Sequence, residues 1–165
     1  MSSPNAHKIA VVSGLGNAQG TGAATARLLA QHGYRVALVS RPRSEVNLLQ
    51  TEITRAGGVA HVFSLDTYDY KEMERVFRTI GEVWTDARIS FALWNTGAWS
   101  MIPFLEVKEV DIQRSVDINI VAATAFAQAA VRAFTAEARL GESVGGTLIF
   151  TGSSPPVLWK LLIVS

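Results

Sequence analysis

The chain of 165 residues is 48% hydrophobic and 18% charged, a balance that excludes disorder and fits one domain with a real core. Its net charge of +1, with no basic run, argues against a nucleic-acid footprint. Cysteine is absent, which excludes disulfides and thiolate chemistry, and His7, His32 and His61 are too far apart to form a ligand-spaced pair, so no metal site is expected.

Residues Met1–His7 are polar and read as a flexible leader without the apolar stretch of a signal peptide. The run Val157–Val164 is apolar but far short of the ~20 residues needed to span a bilayer. The expectation is a cytoplasmic protein without membrane contact. Ile9-Ala10-Val11-Val12 has the length and composition of a strand buried on both faces. A loop follows with Gly14, Gly16, Gly20 and Gly22, and then a helix through Ala23–Ala30, stopped by a left-handed cap at Gly33. Strand, glycine loop and helix in that order make a phosphate site: the backbone can approach closely, and the helix N-terminus offers free N–H groups.

A second buried strand is expected over Tyr34–Ser40, broken by Arg41-Pro42-Arg43. Ser44 can cap the next helix, whose apolar stripe is Val46, Leu49, Ile53 and Ala56 and which ends at Gly57-Gly58. A third strand runs from Val59 to Leu65 and closes at Asp66. Asp69 and Glu72 have capping-box spacing before a helix with Met73, Val76, Phe77, Ile80, Val83 and Trp84 on one face. Arg88–Trp94 is the fourth strand, ending in Asn95-Thr96-Gly97. A helical region from about Val107 to Leu140 follows, rich in small residues in its second half. Thr147–Thr151 is the fifth strand, leading to Ser153-Ser154.

Strands alternating with helices predict a parallel, doubly wound α/β sheet in the order 3-2-1-4-5. In such sheets ligands bind at the carboxyl ends of the strands. Those ends carry, in turn, the glycine loop, Ser40-Arg41, Asp66, Asn95-Thr96-Gly97 and Ser153. At the end of the second strand an acid suits a ribose 2′-hydroxyl and an arginine a 2′-phosphate. Arg41 and Arg43 stand there, with no acid before Glu45, which favours NADP(H) over NAD(H); a solvated loop arginine is the plainer reading.

With these motifs in place, the chain resembles the N-terminal two-thirds of a short-chain dehydrogenase/reductase, from Lys8 to Ser154. The resemblance implies a Rossmann-like NAD(P)-binding domain over 8–154, with 155–165 an atypical apolar tail. Ser13 replaces the threonine of the family's T-G-x-x-x-G-x-G, and five residues rather than three separate Gly14 from Gly20. That spacing resembles the divergent enoyl-acyl-carrier-protein reductases. Carried over from the family, Asp66 would hydrogen-bond the adenine amino group, though it also reads as a helix-entry aspartate. Asn95 and Gly97 match the N-A-G motif, which supports the sheet and the cofactor ribose. Asn119 matches the asparagine that kinks the long helix and holds a proton-relay water. Ser153, with Ser154 as competitor, matches the serine that hydrogen-bonds the substrate carbonyl.

The family's reaction moves a hydride between nicotinamide and a small carbonyl or alcohol substrate, using a tyrosine in Y-x-x-x-K as proton donor. Here Tyr34, Tyr68 and Tyr70 all lie upstream, and Pro156 stands four residues before Lys160. The expectation is therefore a truncated, catalytically incomplete oxidoreductase. The alternatives are a non-catalytic dinucleotide-binding module or pseudoenzyme and, more weakly, a flavodoxin-like domain. Trp99, Met101 and Phe104 are candidates for an apolar substrate wall, with core packing the competing role. A homo-oligomer is left open.

Overall fold

Consecutive apolar, mostly β-branched residues leave no polar face for solvent, so the segment Ile9–Val12 can only be a central strand. The computed structural model describes residues 4–16, 19–98, 102–136 and 145–152. In it Lys8–Ser13 form β1, and every residue from Ile9 to Ser13 is fully buried. The other strands are β2 (Arg35–Ser40), β3 (Val59–Ser64), β4 (Arg88–Trp94) and β5 (Thr147–Phe150). The helices are α1 (Thr21–Gln31), α2 (Ser44–Arg55), α3 (Tyr70–Val83), α4 (Glu109–Val116) and α5 (Ala123–Ala136). The strands form one parallel sheet in the order β3-β2-β1-β4-β5, as the alternation predicts.

Side chains alternate between the faces of the sheet, and a different core forms on each. Ile9, Val11, Val39 and Trp94 pack with α3 and α5 around Met73, Phe77 and Phe126. Val12, Val36, Leu38 and Leu93 pack with α1 and α2 around Ala26, Val46, Leu49 and Ile53. Register brings the strand ends level: Ser13 lies beside Val39 and Trp94, Ser40 beside Ser64, and Trp94 beside Phe150. The β1–β4 pairing shifts between Ile9 and Ala10, passing over Ser90, which aligns these ends. At the opposite edge, Asn5 Nδ2 donates to the His32 carbonyl, Arg35 Nε to that of Ala6, and the Arg88 amide to that of His7.

Local details differ from the sequence expectations. The N-cap of α2 is Arg43, extended at φ −151°, while Ser44 is the first helical residue and turns its hydroxyl to Glu45. Ala56 has left the helical stripe for the exposed C-cap position, and Val83 faces solvent. Gly33 and Gly57 do adopt positive φ at the helix ends. The long helical region is not uniform: a 3-10 turn at Phe104–Glu106 precedes it, and a π-helical segment, Asp117–Ala122, separates α4 from α5. The run Glu109–Ala136 has the length and hydropathy of a membrane-crossing helix, yet Phe126, Ala130 and Phe134 are buried in the core. The expected extension of this helix to Leu140 lies outside the described residues.

Candidate functional site

The glycine loop joins β1 to α1 at the carboxyl edge of the sheet, and its glycines have different work. Gly14 has φ +84°, and a Cβ there would stand 2.2 Å from the carbonyl carbon of Asn95. A Cβ on Gly22 would stand 2.5 Å from the Gly14 carbonyl oxygen. Both are required for the strand, loop and helix to close on one another. Gly16 is exposed, and a Cβ there would meet only Arg43 Nη1, at 3.5 Å. Gly20 is the N-cap of α1. As a glycine it supplies no side-chain cap, and the first turn of the helix holds no acid, an arrangement that suits an anion at the helix start.

Asn95 ties three strand ends together. Its Nδ2 donates to the Gly14 carbonyl at 2.8 Å, its backbone N–H donates to the Ser13 carbonyl, and its Oδ1 accepts from the Thr151 hydroxyl at 2.9 Å. The hydroxyls of Ser13 and Thr96 hydrogen-bond across the same junction. Gly97 lies next to Asn119, which sits in the π-helical segment. Asn119 accepts from the Ala98 N–H at 2.9 Å and donates to the Ala98 carbonyl at 2.7 Å and to Ser115 Oγ at 3.0 Å. A π-turn displaces one residue from the helical ladder, and here the displaced side chain anchors the loop leaving β4.

Beyond β2 and β3, Arg41, Asp66 and Tyr68 line a cleft of about 510 Å³ whose far wall is the helix carrying Arg114, Asp117 and Ile118. The Asp66 and Arg41 side chains are exposed, and among the described residues neither the carboxylate nor the guanidinium is hydrogen-bonded or ion-paired. The turn beneath them is fixed more firmly. Asp69 caps α3 by accepting from the Glu72 N–H at 2.9 Å, while the Glu72 carboxylate accepts from the Asp66 N–H at 3.2 Å and from Arg75 Nε and Nη2 at 2.8 Å. The capping box expected from spacing is thus half-formed, its second arm reaching back to Asp66 instead of Asp69. Arg75 also donates to the Ser64 carbonyl. Its guanidinium, with help from the Asp66 N–H, holds the Glu72 carboxyl down to about 2. The Thr67 hydroxyl, followed by the Glu72 N–H, lowers that of Asp69.

The structure therefore brings Gly14, Gly16, Gly20, Gly22, Arg41, Asp66, Asn95, Gly97 and Asn119 to one edge of the sheet. Ser153 and Ser154, Trp99 and Met101, and the 155–165 tail lie outside the described residues; Phe104 is largely exposed. Sequence reading missed Tyr68, which carries no motif, and the reach of Arg43 to Gly16, which only the path of the β2–α2 loop reveals. Among the described residues there is no group of acids and histidines able to hold a metal ion.

A parallel sheet in this order, with a glycine loop between its central strand and the first helix, defines a doubly wound α/β protein of the Rossmann-like class. The family model for short chain dehydrogenases matches residues 8–155, and the chain belongs to that family. It is similar to a metagenomic short-chain oxidoreductase solved in complex with NADP (25% identity, TM-score 0.76, covering 90% of this chain and 63% of that one). It is also similar to a short-chain type dehydrogenase/reductase from Mycobacterium marinum (26% identity, TM-score 0.78, 90% and 57%). An NADH-dependent reductase complexed with NAD shares the fold (24% identity, TM-score 0.77, 93% and 63%). The chain thus spans 57–63% of the length of these solved structures. No curated protein matches it.

Proposed function

We propose that the chain binds a nicotinamide dinucleotide, NADP(H) in preference to NAD(H), as part of a short-chain oxidoreductase acting on a small carbonyl or alcohol. The observation that carries this reading is the layout of the carboxyl edge. The glycine loop and the α1 N-terminus, with glycine at its N-cap and no acid in its first turn, suit a pyrophosphate. Arg43 lies over Gly16, and Arg41 has no carboxylate partner among the described residues, which suits a 2′-phosphate. Asp66 presents an exposed carboxylate on the cleft that would take the adenine, an acceptor for an exocyclic amine. Gly14 and Gly22, where a Cβ would strike the neighbouring backbone, let the loop close against the end of β4 and the start of α1. The NADP-bound metagenomic relative and the NAD-bound reductase support a nicotinamide dinucleotide without choosing between the two.

When bound, such a cofactor supplies or accepts a hydride. This chain's own residues contribute binding and orientation. Asn95 holds the ends of β1, β4 and β5 in one geometry, and Asn119 fixes the β4 loop to the helix behind the substrate side. Proton transfer is the part these 165 residues do not provide in the family's way, because every tyrosine precedes β4 and Tyr68 is packed against Trp94. On this reading the residues assigned here serve binding and orientation of the cofactor rather than proton transfer. Calorimetric titration with NADPH and NADH, with a carbonyl-reduction assay on the same protein, tests both halves. Saturable NADPH binding without turnover is expected. Turnover above a Ser153→Ala control would sink the second half, and absence of binding to either nucleotide would sink the first.

A further inference from the structure

Arg41 lies over an aromatic ring that is itself packed against the core. The Arg41 guanidinium carbon lies 5.7 Å from the centroid of the Tyr68 ring. Tyr68 meets Trp94 edge-to-face at 5.9 Å and 88°, and Trp94 in turn lies 5.2 Å from the fully buried Phe126. A ladder of rings thus runs from the core between the sheet and α5 out to the rim of the cleft, with Arg41 as its last rung. The backbone beneath Tyr68 is fixed as well, by Asp69 capping α3 and by Glu72 accepting from the Asp66 N–H. The Tyr68 hydroxyl makes no hydrogen bond among the described residues, so it is the ring and not the oxygen that acts.

The geometry points to Tyr68 as a positioning residue for cofactor choice, which stores the Arg41 guanidinium in a fixed plane at the cleft before a 2′-phosphate arrives. This rests on the proposed preference for NADP(H). An exposed arginine ordinarily loses side-chain freedom when it grips a phosphate, and a ring beneath it removes part of that loss in advance. The gain applies only to the nucleotide that Arg41 distinguishes, so Tyr68 acts on the ratio of the two affinities. Asp66, Asp69, Arg114 and Asp117 are the other charged residues lining the cleft, and none of them stands at the end of β2.

The test is calorimetric titration of the full 165-residue chain with NADP+ and NAD+, with melting temperatures recorded for each variant. Tyr68→Leu should cut the NADP+/NAD+ affinity ratio about threefold to fivefold, the fold-change of a partly exposed cation–π contact. Tyr68→Phe should keep the ratio within about twofold, since the ring stays. In an Arg41→Ala background, Tyr68→Leu should leave the ratio where Arg41→Ala puts it. Should Tyr68→Leu fail to fold, Tyr68→Met takes its place with the same expectation. Equal weakening of both nucleotides by Tyr68→Leu, or a shift that survives in Arg41→Ala, would overturn the positioning role while leaving the NADP(H) preference standing. A wild-type ratio at or below one, unmoved by Arg41→Ala, would overturn the preference and the role of Tyr68 with it.

Discussion

The side-chain amide of Asn95 donates to the carbonyl of Gly14 at 2.8 Å, joining the loop after β4 to the loop after β1. The contact depends on Gly14 lacking a side chain, since a Cβ would stand 2.2 Å from the Asn95 carbonyl carbon. The glycine that shapes the loop after β1 is thus also the one that lets the sheet's carboxyl edge close. This separates two kinds of glycine in one motif. Gly14→Ala adds a clash with backbone to strain at φ +84° and should destabilise the chain by about 3 kcal/mol or more. Gly16→Ala meets only the end of a flexible arginine and should change stability by less than about 0.5 kcal/mol. Its effect should fall on nucleotide affinity instead. Urea unfolding and NADPH titration of the pair check this, and equal stability of the two variants would contradict the assignment.

Removing Asn95 itself tests the hub. Asn95→Ala deletes the bond to Gly14 and the acceptor for Thr151 in a part-buried setting, for an expected loss of about 1–3 kcal/mol. Thr151→Val removes only the second contact and should cost less. If the two variants lose equal stability, the bond to Gly14 contributes nothing.

Acid sensitivity should trace to Glu72. Its carboxyl is held down to about 2 by Arg75, below the ordinary value of 4.5 that applies in the unfolded chain. A carboxyl with a depressed folded-state value stabilises fully above its unfolded value and loses that contribution as pH falls through the folded one. Stability from Glu72 is therefore present at neutral pH and disappears progressively between about pH 4.5 and 2. Glu72→Gln should lower stability at pH 7 and flatten the acid limb of the stability–pH curve. An acid limb as steep as wild type would assign the effect to other carboxylates. Because Glu72 also accepts from the Asp66 N–H, the variant should loosen the turn carrying Asp66 and raise amide exchange there.

The strand order and the residues at the strand ends were legible in the sequence because buried parallel strands are written as apolar runs, and punctuation between them falls where the chain must turn. Ile9–Val12 and Arg88–Trp94 show this directly. Helix boundaries that depend on a single side chain were less legible. Ser44 has the chemistry of an N-cap, yet the extended backbone at Arg43 takes that place. Glu72 has the spacing to bond Asp69 and bonds Asp66 instead, because Arg75 draws its carboxylate toward the end of β3. Tyr68 was invisible as a site residue, since nothing in a loop sequence says that its ring will lie between Trp94 and Arg41. The π-helical segment was foreshadowed only by an asparagine in the middle of a helix.

That asparagine offers a test of its own. Asn119 both accepts from the Ala98 N–H and donates to the Ala98 carbonyl, so it substitutes for a paired strand at the loop leaving β4. Only a side chain with an acceptor and a donor side by side can do this. Asn119→Ala should cost about 1 kcal/mol, since water can reach the exposed site and satisfy Ala98. Asn119→Asp is nearly isosteric but at neutral pH turns a carboxylate oxygen toward the Ala98 carbonyl, where the amide had donated. It should be the less stable of the two at pH 7 and should recover relative to Asn119→Ala as the carboxyl protonates in acid. Thermal melts of both variants at pH 7 and pH 4, with hydrogen exchange at the Ala98 amide, read this out. An aspartate variant as stable as wild type at pH 7 would show that the donor arm to the carbonyl carries no weight, and that the loop is held by the accepted bond alone.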